Sequence, residues 1–101
     1  MAFIDAFTAN IRLIILRELM DTNGYTSNDS VLQMVLEKWG HKLSRDRVRT
    51  ELAWFTEQGL VTSVPLGETG AQRVTLTERG LDVANGSATN PGVQRPSPGR
   101  G

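Results

Sequence analysis

The sequence predicts an α+β chain, mostly helical: three helices in succession, then a two-stranded β-hairpin and a short closing helix. Three observations carry this. Apolar residues recur at three- and four-residue spacing as far as Phe55, which is the helical period. After Gly59 the pattern changes to β-branched runs around a glycine turn. Cap and turn residues stand at each of the boundaries between these segments.

The first helix is expected from about Ile4 to Met20, with Ile4, Phe7, Ile11, Ile14, Ile15 and Leu19 on one side. Leu13, Leu16 and Met20 form a second apolar patch on a different side. That is more apolar surface than a terminal helix in a monomer of 101 residues readily buries. Later elements could cover both faces, or the helix could carry a subunit interface. The second option puts Phe3, Ile4, Phe7, Leu13, Leu16 and Met20 at a homodimer contact.

Asp21-Thr22-Asn23-Gly24 stops that helix, and Tyr25-Thr26 is expected as a very short strand. Ser27-Asn28-Asp29-Ser30 supplies the next cap. The second helix runs to about Trp39, with Val31, Leu32, Val35, Leu36 and Trp39 at core spacing, and Gly40 ends it. The short connection to Leu43 suits two helices crossing steeply. The third helix opens on Ser44, whose hydroxyl can accept from the Arg47 N–H. Leu43 and Val48 occupy the two positions of a hydrophobic staple. Val48, Leu52 and Phe55 define its apolar face, and Gly59 closes it.

Leu60–Val64 and Val74–Leu76 read as hairpin strands about the Gly67-Glu68-Thr69-Gly70 turn, with Pro65 on a free edge. Thr77 then caps a short final helix that packs through Leu81 and Ala84. From Asn85 the composition turns to Gly, Ser, Asn and Pro with two arginines. The expected organisation is therefore one folded domain over residues 1–85 and a disordered tail over 86–101.

Formal net charge is zero, with 11 basic and 11 acidic residues. The distribution is uneven: Lys38, Lys42, Arg45, Arg47 and Arg49 stand against Asp46 alone between positions 38 and 49. That stretch carries a surplus of four positive charges, balanced by an acidic remainder. A basic patch on an acidic body suits one face steered toward DNA. With no cysteine there are no disulfides or thiolate metal sites. One histidine without matching ligands predicts no metal centre, and no nucleophile–base–orienter set can be assembled, so neither an enzyme nor a cofactor is expected. No apolar run reaches bilayer length and no signal peptide is evident, so the expected location is cytoplasmic with no membrane partner.

The order of elements resembles a winged-helix domain with its helix-turn-helix. Glu57-Gln58-Gly59-Leu60-Val61 looks like the junction where a recognition helix hands over to the wing. Leu76-Thr77-Glu78-Arg79-Gly80-Leu81 is similar to the motif that follows the wing in regulators of the multiple-antibiotic-resistance, arsenic-repressor and PadR types. The small size also resembles short winged-helix proteins of Mu-like bacteriophages. The resemblance implies a homodimeric DNA-binding transcriptional regulator, with double-stranded DNA as partner. The alternative is an accessory of phage assembly or DNA packaging, with the same face on a phage protein.

In that frame Arg45 and Arg49, one helical turn apart, are expected at base edges or phosphates. Arg47 is nearer the packed side and can pair with Glu51. Ser44 and Thr50 offer hydroxyls to phosphates, and Lys42 sits in the turn before the helix. In the wing, Arg73 faces outward with Gln72 and Thr69 nearby. Glu68 departs from the basic tips that follow a minor groove. Trp39 and Trp54 are expected to pack rather than to stack on bases.

Overall fold

A computed structural model describes residues 5–97. Four α-helices and a three-stranded antiparallel sheet follow in the order α1 (Ala6–Asp21), β1 (Thr26–Asn28), α2 (Asp29–Lys38), α3 (Arg45–Glu57), β2 (Val61–Leu66), β3 (Ala71–Leu76) and α4 (Glu78–Asn85). A 3-10 turn over Asn23–Tyr25 joins α1 to β1. The chain is thus α+β and mostly helical.

The helix starts follow local chemistry. Asp5, Asn28, Ser44 and Thr77 each accept a hydrogen bond from a backbone N–H three residues on, using first-turn donors that have no intrahelical partner. The Thr8 N–H on the Asp5 carboxylate also holds that carboxyl below its ordinary pKa. At the end of α3, Gly59 adopts φ 74°, and the Leu60 N–H reaches back to the Phe55 carbonyl. A side chain would strain that left-handed residue, which is why glycine stands there.

The sheet has one strand more than the hairpin alone. β3 lies in the centre with β1 and β2 on its edges. Thr26, Ser27 and Asn28 pair with Thr75, Val74 and Arg73, while β2 pairs with β3 from Val61–Leu76 to Leu66–Ala71. The expected short strand therefore becomes a third, antiparallel member of the sheet. Pro65 lies on the edge strand β2, where its missing N–H is tolerated.

The core gathers Ile11, Ile15, Leu16 and Leu19 of α1, Leu32 and Leu36 of α2, and Val48, Leu52 and Phe55 of α3, all 0–1% exposed. Leu60, Val61, Val74 and Leu76 join from the sheet and Val83 and Ala84 from α4. Gly80 lets α4 approach closely, because a Cβ there would run into the Leu60 carbonyl oxygen and the Leu76 side chain.

Three expectations change. Leu16 is fully buried and Leu13 nearly so within the single chain, so neither is available to a partner subunit. The reason is the closing segment: α4 packs on α1, and the residues after it cross α1 as well. Phe7 is exposed and Met20 half-buried, whereas Phe3 and Ile4 lie outside the described residues. Val31 and Trp39 are 41% and 67% exposed rather than core. The apolar residues of α2 span a wider arc than its neighbours cover, and Trp39 stands at the helix end, where Gly40 turns the chain away at φ 91°.

The third change concerns residues 86–97, expected to be disordered. They form a strap across α1 and α3. Val93 is buried, the Gln94 N–H donates to the Ala9 carbonyl, and the Asn90 amide donates to Gln58 Oε1. The Asn90 carboxamide oxygen also accepts the Gly92 N–H, closing a local turn. Gly92 lies against the Trp54 ring and the Arg12 guanidinium, in space that a Cβ would fill.

Candidate nucleic-acid interface

Helix α3 presents two kinds of arginine. Arg47 donates from Nε to Glu51 Oε2 at 2.9 Å, and its Nη2 reaches the Thr8 hydroxyl. Arg49 donates from Nε to Asp29 Oδ2 at 2.7 Å, and its guanidinium lies against the backbone of Gly70 in the β2–β3 turn. Both are half-buried and both are neutralised by a carboxylate. Arg45 differs. It is exposed, and its Nε donates to the uncharged amide oxygen of Gln33 at 2.9 Å.

The predicted pairing of Arg47 with Glu51 is present, but the prediction that Arg49 stands free beside Arg45 is corrected. Asp29 begins α2 with 1% of its side chain exposed and accepts both the Arg49 guanidinium and the Gln72 backbone N–H. Burial pushes its carboxyl pKa up, but the Arg49 and Gln72 hydrogen bonds outweigh this and hold it below the ordinary value. An arginine so held joins α2, α3 and the hairpin turn.

Other predicted residues divide similarly. Lys42, Ser44 and Thr50 are exposed around the start of α3, although the Ser44 hydroxyl is occupied by the Arg47 N–H and the Thr50 hydroxyl donates to the Asp46 carbonyl. Thr69 is exposed in the hairpin turn, and Arg73 is exposed on β3. Gln72 is half-buried, and its side-chain oxygen accepts from the Ser63 hydroxyl. The outermost line of α3 is Asp46, Thr50, Ala53 and Glu57, all exposed. Positive charge is therefore concentrated at the helix start, around Lys42 and Arg45, rather than spread along a strip.

A second polar assembly lies on the other side of α3. Glu51, 5% exposed, accepts from Arg12 Nε at 2.6 Å and from Arg47. The Arg12 guanidinium stacks 3.7 Å from the centre of the Trp54 ring and donates to the Gly92 carbonyl of the strap. Trp54 does pack, as expected. The spacing of four residues revealed the Arg47–Glu51 pair, whereas Arg12 is 39 residues from Glu51 and nothing local announces it. The same holds for Arg49 and Asp29, 20 residues apart.

Among the described residues no group of three His, Cys, Asp or Glu converges to hold a metal, and no helix is long and apolar enough to cross a membrane. An apolar flank of α2 is open to solvent through Val31 and Met34, and the exposed Trp39 stands apart from it, beside Leu13 and Ile14 of α1.

The fold and this surface define a small, mostly helical α+β protein with a cationic helix start and an exposed apolar flank. Comparison with known proteins gives the family. The chain is 50% identical over 94 residues to the uncharacterized protein gp26 of Escherichia phage Mu, covering 93% of this chain and 95% of that protein. It is 37% identical over 98 residues to an uncharacterized protein of Haemophilus influenzae, covering 97% and 94% respectively. The chain belongs to the family of phage Mu gp26. No family model matches the sequence, and no solved structure matches the fold.

Proposed function

We propose that this chain is a winged-helix DNA-binding protein of Mu-like phages, acting as a homodimeric transcriptional regulator rather than an enzyme. The observation that carries the reading is the start of α3. A Ser44-capped helix projects Arg45 into solvent, Lys42 precedes it, and the β2–β3 hairpin follows with Arg73 exposed. In this reading α2 and α3 are the helix-turn-helix and β2–β3 is the wing. The first turn of α3 meets the major groove, and Lys42 and Arg73 meet phosphates.

Selection from a random duplex pool tests this. A regulator enriches a palindromic site, and its affinity falls steeply with salt as counterions are released. Failure to enrich any sequence refutes it. Sedimentation tests the dimer: an 11 kDa species at high concentration would refute it. Any dimer contact would have to use surface other than the buried Leu13 and Leu16.

A second reading is an assembly or packaging accessory that docks on a phage protein. The exposed Val31 and Met34, three residues apart on α2, favour it, because monomers seldom leave such residues together in solvent. Weak DNA binding that is salt-labile and sequence-indifferent would support this reading over the first.

A further inference from the structure

We propose that Gln33 is a positioning residue for Arg45, and that the pair reads a guanine in the major groove. The inference rests on the DNA-binding reading above. Gln33 is half-buried on α2 and uses both ends of its amide. Its Nε2 donates to the Leu43 carbonyl, in the turn before α3, at 2.9 Å, and its Oε1 accepts from Arg45 Nε at 2.9 Å. These partners fix the amide's orientation, since a flip would set donor against donor and oxygen against oxygen.

The consequence falls on Arg45. With Nε engaged, its two Nη groups are left as a planar fork of donors at the first residue of the helix. The N-terminal residues of a groove-inserted helix are those that meet base edges. A forked pair of donors matches the O6 and N7 acceptors of guanine. All three arginines of α3 are held through Nε, but Arg47 and Arg49 are held by carboxylates. Only Arg45 is oriented by a neutral group, so it keeps its whole charge as well as a fixed direction. Lys42 has neither a fork nor such a buttress and serves as a phosphate contact.

The experiment uses the full chain and the duplex selected above. Each guanine is replaced in turn by 7-deazaguanine, which lacks the N7 acceptor. For the parent, one such position should weaken binding about ten- to a hundredfold. Arg45→Lys keeps the charge but loses the planar fork held by Gln33, and should diminish that sensitivity while leaving the salt dependence unchanged. Gln33→Met keeps the packing but removes both hydrogen bonds, and should lose most of the sensitivity at an unchanged salt slope. A purely structural Gln33 would lower the melting temperature and leave the guanine preference intact. Should Gln33→Met fail to fold, Gln33→Ala takes its place, because it also removes both hydrogen bonds and alanine suits a helix interior. It should lose the guanine sensitivity likewise, at an unchanged salt slope. Guanine sensitivity undiminished in Arg45→Lys, or undiminished in whichever Gln33 variant folds, overturns the proposal alone. A parent that selects no duplex overturns the DNA-binding reading itself.

Discussion

Replacing Glu51 by alanine should cost about 3–5 kcal/mol, the range for breaking a buried ion pair by removing one partner. The reason is what remains behind. Arg12, with 11% of its side chain exposed, would keep its charge and lose the carboxylate 2.6 Å from its Nε. It would retain the Trp54 ring and the Gly92 carbonyl, which places the cost toward the lower end of that range. Arg47 binds the same carboxylate but has 37% of its side chain exposed. Arg47→Ala should therefore cost only about 1 kcal/mol, as solvent replaces the lost partner and Arg12 still satisfies Glu51. Urea unfolding followed by circular dichroism at pH 7 measures both, with an unchanged denaturant slope as the check on two-state behaviour. For a domain of this size a 3 kcal/mol loss corresponds to a fall in Tm of about 12–24 °C. Equal losses in the two variants, or a loss below about 1 kcal/mol for Glu51→Ala, would refute the idea that Arg12 depends on this buried carboxylate.

The Asp29 carboxyl has a lowered pKa in the folded state, so its contribution to stability is present above the ordinary value of 3.8 and is lost as pH falls through the lower folded value. Asp29→Asn should flatten this acid-side decline, and denaturant titrations between pH 6 and pH 2 would show it; an unchanged decline contradicts the Arg49–Asp29 account. Gly80→Ala should destabilise by about 1–3 kcal/mol through overpacking against the Leu60 carbonyl, read as a lower urea midpoint. A neutral or stabilising result would show that α4 does not lie so close to the sheet. Gly92→Val should release the strap from Trp54, removing hydrogen-exchange protection at the Gln94 amide while the protein remains folded. Protection retained in that variant would mean the strap is held elsewhere.

Local chemistry determined much of this molecule. Ser44 and Thr77 could be read as caps because a hydroxyl before a helix meets a donor three residues on, whatever else surrounds it. Val48, Leu52 and Phe55 could be read as one buried face because helical period alone places them together. The Arg47–Glu51 pair was legible for the same reason. Partners distant in sequence were not. Whether Arg49 was a free cation or a clamp depended on Asp29, carried to it by the packing of α2 on α3. Leu13 and Leu16 were covered only once α4 and the strap crossed α1, and Trp39, at the end of α2, lies beside α1 without being enclosed by it. Composition argued for a disordered tail, since it counts apolar side chains and misses a backbone that can lie flat on Trp54 where Gly92 has no Cβ. The sequence by itself thus determined the helices, the hairpin and the cluster of positive charge between Lys38 and Arg49. Beyond the Arg47–Glu51 pair, only the tertiary structure decided which of those charges are neutralised, because an ion pair depends on distance in space and chain separation reports that distance only within a helical turn.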